Sequence, residues 1–152
     1  MSNKIVLIAV AMTLFAGCAS VPMESKESSS KAKLFNPPSE GNSGLYIYRR
    51  GGPGGAIKKD IWVNGNCIGE SAPKVFFYEE VAGNQEHTIA TESEFSPNEL
   101  KVMTKSNKNY FIEQYLKMGF FVGGADLKVV NETDGKEKVS KLEMATKGTC
   151  SK

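Results

Sequence analysis

The sequence predicts a mainly β protein, a single antiparallel β-sandwich with a short C-terminal helix. Short runs of β-branched and aromatic residues recur between residues 44 and 130. Turn-forming residues separate these runs at intervals of about 8–12 residues, which is typical of antiparallel sandwiches and barrels. Val139, Leu142 and Ala145 then follow at a spacing of three, which favours an amphipathic helix over residues 136–145.

The predicted strands are runs in which strand-forming residues dominate. They are 45–50, 61–63, 67–69, 75–78, 87–91, 100–104, 110–112, 114–116, 120–122 and 127–130. Asn64-Gly65 joins the second run to the third and is the strongest short signal for a two-residue hairpin. Gly123-Gly124 predicts a bulge or bend.

The first 17 residues have the pattern of a secretory leader. Lys4 gives a positive start, and Ile5 to Phe15 is apolar apart from Thr13. As a helix this stretch would be about 16 Å long, roughly half of a bilayer core of ~30 Å. We therefore expect a signal peptide rather than a membrane span.

Residues 14–18, Leu-Phe-Ala-Gly-Cys, resemble the lipobox of bacterial lipoproteins, although Phe15 stands where the usual pattern has leucine. The resemblance implies cleavage before Cys18, acylation of that cysteine, and a bilayer as the partner of the acyl chains. Ala19, rather than aspartate, follows Cys18, which resembles the outer-membrane sorting signal of Gram-negative lipoproteins. The alternative is an ordinary secretory signal with an incidental cysteine.

Residues 18–43 are predicted to be a tether, and residues 44–152 the β-domain with its helical tail. Serines, charged residues and Pro37-Pro38 dominate the tether, and apolar residues are few. A flexible chain of this length would have an end-to-end distance of about 25–30 Å. Leu34-Phe35 is the apolar exception, and we expect it to dock on the domain or, alternatively, to be an exposed recognition element.

The remaining cysteines, Cys67 and Cys150, are predicted to form a disulfide. Compartments outside the inner membrane are oxidising, and an even number of cysteines is left after lipidation. The chain-entropy estimate for a loop of this length is about 4–5 kcal/mol. The alternatives are two free thiols or a redox pair, although the C-x-x-C spacing of a catalytic pair is absent.

Several motifs, taken in order, resemble the bacterial lipoprotein family catalogued as domain of unknown function 2846. They are Gly44-Leu45-Tyr46-Ile47-Tyr48-Arg49, Trp62-Val63-Asn64-Gly65, Ile68-Gly69, Val81-Ala82-Gly83, His87-Thr88-Ile89 and Lys108-Asn109-Tyr110-Phe111. The middle part is also similar to small prealbumin-like domains, which are usually adhesive or structural. The resemblance implies a prealbumin- or immunoglobulin-like sandwich and supplies no catalytic residues.

The candidate binding residues are Tyr46, Tyr48, Arg49 and Arg50. Strand alternation places Tyr46 and Tyr48 on one face, where an exposed aromatic row would suit a sugar or protein. The alternative is that both faces of this strand are packed in the core. The two arginines border the glycine-rich segment 51–55, where they could contact an anionic lipid or glycan or simply be solvated.

Other residues are weaker candidates for chemistry. His87 is the one histidine and lacks recognisable triad or zinc partners. The pairs Glu79/Glu80 and Glu92/Glu94 would suit a glycosidase only if two carboxylates faced one cleft. We expect no catalytic residue, no metal and no cofactor.

The expected function is that of a non-catalytic envelope lipoprotein, anchored in the outer membrane, whose domain binds a protein or glycan. The 19 basic residues nearly balance the 17 acidic ones, which argues against a nucleic-acid partner. The alternatives are an accessory subunit of an envelope complex and a carboxylate-dependent envelope hydrolase.

Overall fold

The structure is a computed structural model that describes residues 20–52, 54–120 and 123–151. The elements are α1 (Lys26–Ala32), β1 (Asn42–Arg49), β2 (Lys59–Val63), β3 (Asn66–Ser71), β4 (Val75–Ala82), β5 (Glu86–Thr91), β6 (Asn98–Met103), β7 (Asn109–Lys117), β8 (Gly124–Val130), α2 (Glu132–Val139) and β9 (Glu143–Met144). The predicted leader and Cys18, and two of the three residues of the predicted strand 120–122, lie outside the described residues.

The strands form the predicted sandwich. The larger sheet has the order β8-β7-β1-β4-β9 and the smaller sheet the order β3-β2-β5-β6. The prediction of an antiparallel arrangement is wrong for two pairs, because β7 runs parallel to β1 and β9 runs parallel to β4. The turn before β7 explains the first pair: the Asn107 amide donates to the Asn42 carbonyl, so β7 starts beside the start of β1.

Two apolar layers cover the two faces of the larger sheet. The inner core lies between the sheets and includes Leu45, Ile47 and Ile112. The outer core lies on the opposite face and is built by Tyr46, Tyr48, Phe76, Phe111, Val139 and Leu142, with Phe35 packed against it. Strand β1 is therefore buried on both faces, as the second interpretation of its aromatic residues predicted.

The Asn64-Gly65 hairpin is confirmed. Both residues have positive φ, 51° and 77°, which is the geometry of a type I′ turn. Glycine tolerates this region at little cost, and asparagine is among the residues that enter it most readily.

The predicted helix at residues 136–145 is misplaced. Helix α2 spans Glu132–Val139 and begins at Asn131, whose side chain accepts a hydrogen bond from the Asp134 amide. Leu142 joins Val139 in the outer core, whereas Ala145 lies in the inner core. The three residues spaced three apart therefore do not form one helical face, because they lie on opposite faces of the larger sheet.

Much of the predicted tether is folded. Helix α1 begins after Ser25, whose side chain accepts from the Ser28 amide, and it packs beside β9. The two residues of Leu34-Phe35 have different environments: Phe35 contacts the rings of Tyr46 and Phe111, while Leu34 is 66% exposed. The predicted docking is thus correct for Phe35.

Cys67 and Cys150 are joined in a disulfide, as predicted. The bridge ties the C-terminal tail to the β2–β3 hairpin. Hydrogen bonds also hold the tail: the Gly148 amide donates to the Ile68 carbonyl, and the Ser151 amide and hydroxyl donate to the buried carboxylate of Asp60. The tail is therefore fixed along the edge of the smaller sheet.

Candidate functional site

The predicted aromatic row is not on the surface. Tyr46 and Tyr48 are only 2% and 1% exposed, because helices α1 and α2 and the 33–37 segment cover this face of the larger sheet. Burial raises the pKa of Tyr46 to about 12, with a further contribution from the charge of Glu80. Tyr48 is therefore a core residue. Tyr46 is also a core residue, and only its edge borders the cleft described below.

Arg49 is also buried, and its guanidinium has a structural role. It donates to the carbonyls of Ile57, at 2.6 Å, and Gly54, at 2.8 Å. These bonds close the glycine-rich loop onto the end of β1. Desolvation lowers the pKa of Arg49, and the two carbonyls satisfy donors that burial removes from water.

Arg50 is the one member of the predicted set with an exposed side chain. Its Nε lies 2.5 Å from Oε1 of Glu113, and Nζ of Lys128 lies 3.4 Å from Oε2 of the same carboxylate. Glu113 is only 1% exposed, so two half-exposed cations compensate one buried anion. Arg49, Arg50 and Glu113 line a polar pocket of about 200 Å³ beside Gly51 and Gly52.

A larger cleft of about 360 Å³ lies between α1 and the outer face of the larger sheet. We call it the helix cleft; it is lined by Ser28, Lys31, Ala32, Asn36, Pro37, Tyr46, Tyr78, Glu80 and Met144. Most of these residues belong to the segment predicted as tether or to β4. The cleft was missed because it exists only once α1 has folded back onto the sheet.

Hydrogen bonds hold the wall of the helix cleft in place. The Tyr46 hydroxyl donates to the Ala32 carbonyl at 2.8 Å, which satisfies a carbonyl at the end of α1. The side-chain amide of Asn109 donates to the carbonyls of Phe35 and Asn36. The segment after α1 is therefore fixed at both the helix end and the sheet.

Glu80 supplies the negative charge of the helix cleft. Its carboxylate accepts from the Ser39 amide, the Asn42 side chain and the Tyr78 hydroxyl. Partial desolvation raises the pKa of Glu80, but these hydrogen bonds outweigh it and hold the pKa below its ordinary value. The cleft thus combines an apolar floor with the ionised carboxylate of Glu80 and the ammonium group of Lys31.

His87 is a buried structural residue. Its Nδ1 lies 2.9 Å from Nδ2 of Asn64, and its Nε2 lies 2.7 Å from the Ala82 carbonyl. The Asn64 side-chain oxygen accepts from the Thr88 amide, which leaves Nδ2 as the donor to His87. These contacts tie the Asn64-Gly65 hairpin to the end of β4.

The adjacent carboxylates Glu79 and Glu80 do not face one cleft. They are consecutive residues of β4, so their side chains point to opposite faces of the sheet. Glu79 pairs with Lys147 of the C-terminal tail, and Glu80 lines the helix cleft. Glu92 is buried and accepts from the Asp60 amide at 3.1 Å, whereas Glu94 accepts from the Phe120 amide.

Metal-binding clusters and membrane-spanning helices are both absent from the part of the chain that the structure describes. There, no group of three or more histidine, cysteine, aspartate or glutamate side chains is placed to hold a metal ion. Neither described helix has the length and apolar character that crossing a bilayer requires.

The protein is a two-sheet β-sandwich in which two helices cover the outer face of the larger sheet. The family described as "Protein of unknown function (DUF2846)" matches residues 39–125, and the chain belongs to that family. An uncharacterized protein of Haemophilus influenzae is 55% identical over 139 residues, which cover 91% of this chain and 82% of that relative. No solved structure matches the chain.

Proposed function

We propose that this protein is an envelope lipoprotein, anchored in the outer membrane through acylated Cys18, whose sandwich is a non-catalytic binding module. The observation that carries the proposal is the lipobox-like sequence Leu14-Phe15-Ala16-Gly17-Cys18, which follows a short apolar leader. The leader is too short to anchor the chain by itself. Two or three acyl chains on one cysteine would hold the domain stably, whereas a single chain binds only marginally.

The disulfide supports the envelope location. Cys67–Cys150 joins residues 83 positions apart, and disulfides of this structural kind persist in oxidising compartments such as the periplasm. A reduced, cytosolic location would leave the C-terminal tail without its covalent link.

The helix cleft is the surface that we assign to binding. It is concave and mostly apolar, and hydrogen bonds hold Tyr46, Tyr78 and Glu80 in place, as is usual for ligand sites. The edge of the half-buried Tyr78 ring suits packing against an apolar or sugar ring, and Glu80 can accept hydrogen bonds from a hydroxyl or amine donor. A protein loop or a glycan meets these requirements.

Anchoring is tested by Cys18→Ala, with Ser20→Ala as the matched control. Full-length chains are expressed with labelled palmitate, and the membranes are then separated. We expect label and membrane retention in the wild type and in Ser20→Ala, and loss of both in Cys18→Ala. Unchanged membrane association of Cys18→Ala would refute the proposed anchor.

Binding is tested by filling the helix cleft with Asn36→Trp. Asn36 lines the cleft and is exposed, so a larger side chain can occupy the cleft without entering the core. Glu99→Trp, on the exposed strand β6, is the matched control. Crosslinking in native membranes and titration with purified cell-wall glycan should show a partner that Asn36→Trp loses and Glu99→Trp keeps.

Equal crosslinking and equal glycan binding by both variants would contradict the helix cleft as the binding surface. A stoichiometric protein partner, rather than a glycan, would make the protein an accessory subunit of an envelope complex.

A further inference from the structure

The chain enters the folded domain almost immediately after Cys18. Met23 forms an antiparallel bridge with Ala145, the Glu24 amide donates to the Met144 carbonyl at 2.9 Å, and the Thr146 amide donates to the Pro22 carbonyl at 2.9 Å. Val21 is half-buried and packs against the inner core. The first fixed contact of the domain is therefore only three residues from the predicted lipid.

Contacts farther along keep this segment on the domain. Ser29 is 1% exposed, and its hydroxyl donates to Glu143 at 2.7 Å. Nζ of Lys33 donates to the Leu142 carbonyl at 3.0 Å and to Glu143 at 3.1 Å. Residues 21–33 contact β9 and its flanks repeatedly. They could act as a longer tether only if all these contacts broke together.

We infer that the domain sits directly on the bilayer, with the edge formed by residues 21–24 and 145–148 against the lipid headgroups. This inference rests on the proposed acylation of Cys18. Three residues of extended chain reach at most about 11 Å. The headgroup layer on one side of a bilayer takes up about 5–7 Å of that distance. The remaining few ångströms leave no room for a freely mobile domain.

We call the edge formed by residues 21–24 and 145–148 the anchor edge, and its chemistry suits a membrane surface. Pro22 and Met23 are exposed apolar residues, and Met23 is 44% exposed. Lys147 follows Thr146, whose amide donates to Pro22, and its side chain, 55% exposed, pairs with Glu79. Apolar side chains flanked by a cation are the usual composition of an interfacial contact.

Strand β6 lies at the far side of the smaller sheet from the anchor edge. The sheet order β3-β2-β5-β6 places the C-terminal tail beside β3 and leaves β6 at the opposite edge. Glu99 on β6 is exposed and is therefore the reference position for a surface that does not face lipid.

The test places the photoreactive residue p-benzoylphenylalanine at Met23 or at Glu99 in full-length protein in native membranes. Lipid adducts are read by mass spectrometry, and palmitate on Cys18 is measured in the same samples. We expect adducts at position 23 to exceed those at position 99 at least tenfold. Inserting about 20 glycine and serine residues between Ala19 and Ser20 should remove most adducts at position 23 and leave palmitate unchanged.

The adducts test the seating of the domain on the bilayer, and the palmitate measurement tests the acylation of Cys18. Palmitoylated protein without excess adducts at position 23, or with adducts that persist after linker insertion, would overturn the seating on the bilayer and leave the lipoprotein proposal intact. Protein without palmitate would overturn the lipoprotein proposal, and the seating with it.

Discussion

Gly135 allows helix α2 to lie directly against the larger sheet. A Cβ built on this residue would overlap the base of the Phe111 side chain, its Cβ and Cγ atoms. These atoms cannot move without shifting the ring within the outer core. Alanine would gain up to about 1 kcal/mol in helix propensity, but overpacking typically costs about 1–3 kcal/mol.

Gly135→Ala should therefore lower the free energy of unfolding by about 1–2 kcal/mol in urea titrations. Gly55→Ala is the matched control, because a Cβ there meets only the Gly52 carbonyl oxygen at 4.0 Å. Its effect should stay within about 0.5 kcal/mol. Equal effects of the two substitutions would show that α2 does not pack as described.

Glu143 links the stability of the α1 contact to pH. Hydrogen bonds from Ser29 and Lys33 lower the pKa of Glu143 below its ordinary value of 4.5, against a smaller opposing effect of desolvation. A carboxyl whose folded pKa is lowered stabilises the fold fully above its unfolded pKa. That stabilisation is lost as the pH falls through the lower, folded value.

We therefore expect the advantage of the wild type over Glu143→Gln to be constant above about pH 5 and to shrink below pH 4.5. Thermal unfolding from pH 7 to pH 3 measures this difference, and comparison of the two chains cancels the carboxyl groups that they share. An advantage that grew on acidification would contradict the described contacts of Glu143.

At the scale of elements, the C-terminal tail is held by one covalent bond and a few hydrogen bonds. Replacing both Cys67 and Cys150 by alanine removes the link across an 83-residue separation. The unfolded chain then regains conformational entropy, so the free energy of unfolding should fall by about 3–5 kcal/mol. Urea titrations of the double variant measure this loss, and a loss below about 1 kcal/mol would contradict a stabilising bridge.

The N-terminal segment gives an equally specific prediction. Met23 and Ala145 are bridge partners, and antiparallel partners lie about 4.5–5.5 Å apart between Cα atoms, within the range that a disulfide spans. Met23→Cys/Ala145→Cys should therefore form a second disulfide under oxidising conditions, detected by peptide mapping without reductant. Met23→Cys/Glu99→Cys is the control that should remain unlinked, and equal linkage of both pairs would contradict the register.

At the scale of the whole molecule, local patterns predicted the strands well. The hairpin at Asn64-Gly65 and the two-sided burial of β1 follow from turn chemistry and alternation, which are properties of neighbouring residues. The parallel pairing of β1 with β7 does not follow from neighbouring residues, because it depends on the contact between Asn107, in the turn before β7, and Asn42. The Cys67–Cys150 pairing was predictable because two cysteines remain after Cys18 is assigned to lipid.

Local sequence patterns did not predict the helix cleft or the folded N-terminal segment. Helix α1 buries little apolar surface of its own, and Ser29 is its buried residue. The helix is held by Glu143, which accepts from Ser29 across 114 residues, and by Tyr46, 14 residues beyond Ala32. The segment after the helix is held by Asn109, 74 residues beyond Phe35. Serine-rich composition therefore predicted a tether where long-range hydrogen bonds and the Phe35 ring produce a packed layer.

The folded domain begins at about residue 21 and not at residue 44. Hydrogen–deuterium exchange of the full-length protein in membranes tests this most directly, read on the amides of Glu24, Lys33 and Thr146. Each of these amides donates to a backbone carbonyl in the described fold, so we expect exchange slowed at least a hundredfold relative to an unstructured peptide. Exchange of all three amides at the rate of unstructured chain would contradict the account.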